Sequence, residues 1–252
     1  MSGIDRSSSP MDWITPDWPA PASVRAASTL RFGGMSEGGF SSLNLAFHVE
    51  DDPKAVTENR RRLRDALGLP AEPAWLNQVH GVRVVEAGAW QAPPAADASI
   101  ARSRGEVCVV MTADCLPVLF CDRSGSRVGA AHAGWRGLVG GVLGATVESL
   151  GVPPAELLAW LGPAIEQAAF EVGDEVREQF VARDPGNAVC FERNARGRWQ
   201  ADLYELARRE LRRLGVEAIH GGGFGTYSDQ ERFFSYRREA RTGRMATLIW
   251  LE

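Results

Sequence analysis

Histidine is scarce in this sequence: His48, His80, His132 and His220 are the whole set in 252 residues. Cysteine is equally rare, with Cys108, Cys115, Cys121 and Cys190, and no two of them form a C-x-x-C pair. That absence excludes zinc ribbons and thioredoxin-like redox motifs. No apolar run approaches the roughly 18–20 residues needed to cross a bilayer, so no membrane span is expected. Basic residues are in deficit: 28 Lys and Arg against 32 Asp and Glu leave a net charge of −4. This argues against nucleic acid or an anionic membrane as the main partner. The opening MSGIDRSSSPMDWITPDWPAPAS has neither the basic flank nor the apolar stretch of a signal peptide, and a cytoplasmic location is the expectation. Reducing conditions there disfavour structural disulfides, so each cysteine is either buried filler or chemistry. Repeats, heptad seams and low-complexity tracts are also missing, apart from a Ser/Pro-rich leader at 7–23.

What is present is ordinary globular material, 44% hydrophobic and 24% charged. Residues 1–27 form the leader, expected to be loosely ordered, above all at its start. TLRFGGMSEGGF follows, and its clustered glycines fit either a backbone that approaches a ligand closely or a flexible hairpin loop. Asp52-Pro53 supplies an N-cap and a first-turn proline for a helix through KAVTENRRRLRDALG that stops at Gly68. Its Arg60–Arg64 cluster is expected on a solvated face. AWLNQVHG has the pattern of a strand ending in a turn, and VRVVEA that of a second strand. EVCVVMTA, LPVLFCD and SRVGAAHA are three short apolar runs, the signature of buried strands. A helix is expected over GWRGLVGGVLGATVESLG, with two more at 173–183 and 201–214 and a closing strand at TLIWLE. Strands this apolar need cover on both faces, which argues for a layered α/β or α+β domain, and α+β with mixed layers is the expectation.

Three of these segments carry candidate ligands. Cys115 lies in TADCLPV, His132 in AAHAGW and His80 in NQVHG, all expected at strand ends on one rim of a sheet. A thiolate with two neutral imidazoles suits zinc or copper, and three protein ligands leave a tetrahedral position open for water. A plainer alternative is a buried cysteine acting as a small hydrophobe and two histidines capping carbonyls. Asp114, beside Cys115, is a candidate proton acceptor or a strand-terminating residue bonded to backbone amides.

NQVHG, TADCLPVLF, AAHAGWRGL, LGPAI and FFSYRR followed by TGRM, in this order, resemble the bacterial YfiH-type laccase-domain, or polyphenol-oxidase-like, proteins. LRFGGMS and SLNLAFHVEDDPKAVTENR resemble the same family's opening. The resemblance spans residues 28–252 and implies one catalytic domain of mixed sheets covered by helices. It implies a purine nucleoside phosphorylase acting on adenosine, inosine and S-methyl-5'-thioadenosine, with adenosine deaminase activity. It also implies that His80, Cys115 and His132 are the metal ligands. One departure stands out. Many relatives have a cysteine in a C-T-Y segment near the C-terminus where this chain has Gly225, which puts fine substrate preference in doubt.

Deamination needs a strong nucleophile at neutral pH, which a zinc-bound water with its pKa lowered to about 7 provides, with Asp114 to handle the proton. Phosphorolysis needs guanidinium groups to seat phosphate. Arg136 is the best placed, Arg31 the second, and Asn77 and Gln78 in the NQVHG motif are further substrate-binding candidates. A multicopper laccase fails on counting, because four histidines cannot ligate a blue-copper centre and a three-copper cluster. A single copper site, with Met111 merely nearby as an axial ligand, remains arithmetically open. A hydrolase editing a cytoplasmic peptidoglycan precursor, with Cys115 as nucleophile and His132 or His80 as base, is the alternative enzyme class. The expected partners are a purine nucleoside and phosphate, in a monomer or weak homo-oligomer, with tryptophans near the leader available for an interface. His48 and His220 are expected to be structural.

Overall fold

The computed structural model describes residues 11–88 and 90–252. Two large sheets lie face to face, because their strands are apolar on both sides and each side needs cover. The first is antiparallel and runs in the order β1 (Trp13–Ile14), β2 (Val24–Thr29), β13 (Met245–Leu251), β5 (Val107–Thr112). The second runs β12 (Ala218–Gly221), β8 (Leu157–Leu161), β6 (Leu116–Asp122), β7 (Val128–Ala133), β4 (Ala98–Ala101), β3 (Val84–Glu86). Its centre is antiparallel and its two edge pairs are parallel, so the sheet is mixed. A small antiparallel sheet of β10 (Phe191–Arg193), β11 (Trp199–Ala201) and β9 (Glu171–Val172) completes the strands.

The two-residue period of each strand sorts the core into layers. Cys108 and Val110 of β5, Leu119 and Cys121 of β6, and Val128 and Ala130 of β7 fill the space between the large sheets. The alternate residues Val118 and Phe120 of β6 join a cluster with α3 (Val142–Leu150), α4 (Asp174–Arg183) and α5 (Leu203–Arg213). On the far side, Val109 of β5 and Leu248 of β13 pack with Leu63 of α1 (Pro53–Leu67). The result is helix, sheet, sheet, helix, and it explains why the predicted strands lack polar alternation. Among the described residues no helix is long and apolar enough to cross a membrane.

Local signals in the sequence set several boundaries. Asp52 caps α1 by accepting from the Lys54 amide at 2.9 Å, and Gly68 ends it in the left-handed region at φ 59°. Four expectations need correction. AWLNQVHG is extended but forms only isolated bridges at Ala74 and Asn77. The single helix expected after His132 is two, α2 (Trp135–Gly140) and α3, because Gly141 sits at φ 103°, where a right-handed helix cannot continue. Arg60 is not on the solvated face with its neighbours. It lies 3.7 Å from the Trp75 ring centroid and donates to the Leu45 carbonyl, while Arg61 and Arg62 pair with Glu58. Finally, β1 and most of β2 fall inside the expected leader, so a boundary at residue 28 cuts a strand, and Trp18 packs against the chain's own inter-sheet core. The start of that leader, 1–10, lies outside the described residues.

Candidate metal centre

The chain switches from the first large sheet to the second between Thr112 and Leu116, and Cys115 occupies that crossing. Asp114 makes the turn possible by adopting φ 85°. His132 lies on β7 opposite Pro117, with the parity of Val128 and Ala130, so it points to the space between the sheets. His80 arrives from a loop, not a strand end, and also takes a positive φ of 60°. These two are the only non-glycine residues with positive φ among those described, and both serve this one place. Gly134 lets the three side chains converge: a Cβ there would fall 2.8 Å from Cys115 Sγ and 3.2 Å from His80 Cδ2.

The ligand atoms of His80, Cys115 and His132 all lie within 4.8 Å of one another, with Cys115 Sγ 3.9 Å from His80 Nε2. Tetrahedral zinc with sulfur and imidazole ligands sets its donors about 3.5 Å apart, so a small closure suffices. The donor chemistry and the spacing therefore fit a zinc or copper ion.

Behind the trio stands Asp97, which sequence inspection did not single out. It is fully buried. Its Oδ1 accepts from His132 Nδ1 at 2.8 Å and from the His80 amide at 2.9 Å, and its Oδ2 from the amides of Gly81 at 2.7 Å and Val79 at 3.2 Å. One carboxylate thus orients both histidines, and because a carboxylate only accepts, it places a proton on His132 Nδ1 and turns Nε2 toward the thiol. The available signal was the one charged residue inside AADASIA. Burial works against ionisation of Asp97, but the bonds from His132 and Gly81 hold its carboxyl below the usual range. Burial also pushes the Cys115 thiol up, yet His132 and His80 outweigh it and bring the thiol to about 6. For His132, burial lowers the pKa, and the neighbouring thiolate and Asp97 raise it to about 9. Each group thus favours the charged form of the other, thiolate beside imidazolium, at neutral pH in the metal-free site.

The trio floors a cavity of about 520 Å³ lined also by His48, Gln78, Met111, Asp114, Trp135 and Phe170, among others. Volumes of roughly 300–1,000 Å³ hold small organic ligands. Three guanidinium groups, from Arg136, Arg237 and Arg244, line the same cavity.

The family model for multi-copper polyphenol oxidoreductase laccase matches residues 25–252. The chain belongs to this family. A purine nucleoside phosphorylase of Pseudomonas aeruginosa is 61% identical over 241 residues, covering 95% of this chain and 98% of that protein. The purine nucleoside phosphorylase YfiH of Escherichia coli is 53% identical, covering 94% and 98%. Among solved structures, a Neisseria meningitidis protein matches with a TM-score of 0.92 at 52% identity, covering 95% of this chain and 99% of that one. YlmD from Geobacillus stearothermophilus matches at 0.89 and 30% identity, covering 100% and 98%. The α+β fold expected from the sequence is the fold of this laccase family. Its multi-copper description outruns the ligands here, since the trio is the one cluster of three or more His, Cys, Asp or Glu donors among the described residues.

The remaining candidates of this laccase-family chain separate by position. Gln78 lines the cavity and clasps the Met111 backbone, donating to its carbonyl at 2.8 Å and accepting from its amide at 2.7 Å. Asp114 lines it too, but its two oxygens accept from Thr226 Oγ1 and the Arg237 amide, both at 2.7 Å, which makes it an anchor for the C-terminal segment. Arg136 stacks on Trp135 at 4.4 Å and faces the cavity. Arg31 and Asn77 do not line it. Arg31 donates to the carbonyls of Ser41 and Gln230 and lies over Phe234, a structural use that its place in a glycine-rich loop did not reveal. Gly33, Gly34 and Gly39 pack against protein, a Cβ on Gly34 meeting the Ser42 carbonyl at 2.2 Å, while one on Gly38 meets nothing within 4 Å. His48, expected to be structural, is a cavity wall. Gly225 lies off the cavity beside Glu166, one residue from the Thr226–Asp114 bond.

Proposed function

We propose that this chain is a metal-dependent purine nucleoside phosphorylase working in the cavity floored by His80, Cys115 and His132. Its substrates are adenosine, inosine and S-methyl-5'-thioadenosine, and adenosine deamination is a second activity. The observation that carries this reading is a single cavity holding a His/Cys/His cluster at its floor and guanidinium groups at its wall, in a chain whose full-length relatives bear the phosphorylase name. In phosphorolysis a phosphate oxygen bonds to C1' of the ribose while the bond from C1' to the purine nitrogen breaks, and the purine leaves with that electron pair. Asp97 and Gln78 hold the floor rigid, and Trp135, Phe170 and Ile165 offer apolar surface to base and ribose. Arg136 seats the phosphate. His80, Cys115 and His132 would hold zinc, with copper as the alternative, and the ion would supply Lewis acidity and an activated water for the deamination.

The test is purified protein of known metal content, incubated with adenosine with and without phosphate, its products separated by chromatography. Adenine with ribose 1-phosphate, or inosine, abolished by chelation, is the expected result. No turnover with one metal bound overturns it.

A second reading has one specific observation in its favour. Cys115, His132 and Asp97 form a thiol, imidazole and carboxylate in sequence of contact, the arrangement of a cysteine hydrolase acting on a cell-wall precursor. Activity that survives chelation and is killed by alkylation would select it.

A further inference from the structure

We infer that Arg237 and Arg244, contributed by the C-terminal segment, form with Arg136 a seat for a phosphate oxyanion at the wall of the cavity. The inference rests on the phosphorylase reading and deepens it by adding two residues that sequence inspection passed over.

The manner in which these arginines are held is the argument. Arg237 Nη1 donates to the carbonyls of Ala169 at 3.3 Å and Glu171 at 3.1 Å. Arg244 Nη1 donates to the carbonyls of Thr242 at 2.9 Å and Gly243 at 3.0 Å. Arg136 rests on the Trp135 ring. In each case a neutral partner fixes the side chain and leaves its charge intact. Among the described residues, none of the three forms an ion pair, whereas Arg61, Arg183 and Arg213 are each spent on carboxylates. Among the described residues Asp114 is the only carboxylate lining the cavity, and its oxygens already accept from Thr226 and from the Arg237 backbone. The wall is therefore cationic in a chain of net charge −4. Arg237 and Arg244 keep their Nε and Nη2 groups free of partners among the described residues, so each presents the planar fork that matches two oxygens of a phosphate. A carboxylate ligand would satisfy one fork, and a tetrahedral phosphate can satisfy more.

The same seat would take inorganic phosphate or the phosphoryl group of a nucleotide, and calorimetry separates them. Wild-type protein and the R237Q, R244Q and R136Q variants are titrated with sodium phosphate, with adenosine 5'-monophosphate and with adenosine. Each glutamine variant is expected to weaken phosphate binding by about tenfold or more, with adenosine affinity unchanged and R244K retaining part of the loss. The same arginine dependence for the monophosphate, with none for inorganic phosphate, would assign the seat to the substrate's own phosphoryl group. Affinity for both phosphate and the monophosphate unaltered in all three variants, or no binding of either probe to wild type, overturns the seat. Arg136 makes no hydrogen bond among the described residues, so R136Q remains readable if R244Q is unstable by circular dichroism. Turnover measured in parallel keeps the two ideas apart. Phosphorolysis with arginine-independent phosphate saturation sinks the seat alone, and arginine-dependent phosphate binding without phosphorolysis sinks the phosphorylase reading alone.

Discussion

The floor and the wall of the cavity are built on opposite plans. The floor comes from the sheets: His132 is part of β7, Cys115 marks the crossing between sheets, and a fully buried carboxylate fastens the His80 backbone to His132. The wall comes from segments outside the strands, with Arg237 and Arg244 held by backbone carbonyls and Arg136 by an aromatic ring. Ligand geometry tolerates errors of a few tenths of an ångström, which only closely packed elements can guarantee. Charge acts over longer distances and survives on loops. Floor substitutions should therefore act steeply and all at once, and wall substitutions in graded steps.

Removing a floor donor is the harshest test of that contrast. Cys115→Ala should lose both bound metal and nucleoside turnover while its circular dichroism stays native. Metal stoichiometry retained in that variant rules out the proposed ligand set. Next in size is the reactivity of the metal-free thiol. Cys115, near 6, should be alkylated by iodoacetamide with a rate that rises as pH rises through about 6, while Cys108 and Cys121, pushed up by burial to about 12, stay inert. A labelling midpoint near the ordinary thiol value would show that His132 and His80 do not act on the sulfur as the geometry demands.

Asp97→Asn should weaken metal affinity by about 10–100-fold in a chelator competition, because the amide has one acceptor oxygen and cannot serve both the two histidines and the Val79 and Gly81 amides. Unaltered affinity would make Asp97 a bystander. Gly134→Ala places a methyl 2.8 Å from Cys115 Sγ, and a destabilisation of about 1–3 kcal/mol by urea unfolding, with weaker metal binding, is expected. At the mild end, Arg136→Ala should raise the phosphate requirement far more than it affects deamination, and equal losses in both would remove its phosphate role. Arg31→Ala should cost about 1 kcal/mol of stability and leave phosphate saturation alone, since its bonds go to protein carbonyls.

The difference between floor and wall is also a difference in what could be seen without coordinates. The trio lay in short motifs around His80, Cys115 and His132, and resemblance to the YfiH-type proteins singled out the same three residues. Asp97 was hidden because a lone aspartate in AADASIA looks like a strand terminator until its four donors are assembled from residues 79–81 and 132. Arg237 and Arg244 lay in FFSYRR and TGRM, motifs that carried the family resemblance, but nothing local distinguishes their guanidinium groups from those of the other basic residues. Arg31 misled for the converse reason: a glycine-rich neighbour suggests a ligand, and here the glycines make room for the chain itself.

By itself the sequence determined the strand cores, the capped helix α1, the helices α4 and α5, and the chemistry of the three donors, because each depends on neighbours a few residues away. Tertiary structure alone decided that β5 and β6 belong to different sheets and that the crossing between them holds the thiol. It alone also brought Asp97 behind two histidines, and arginines more than 100 positions from Cys115 over the same cavity. Those choices depend on which apolar faces meet, and sheet packing settles that between segments far apart in the chain.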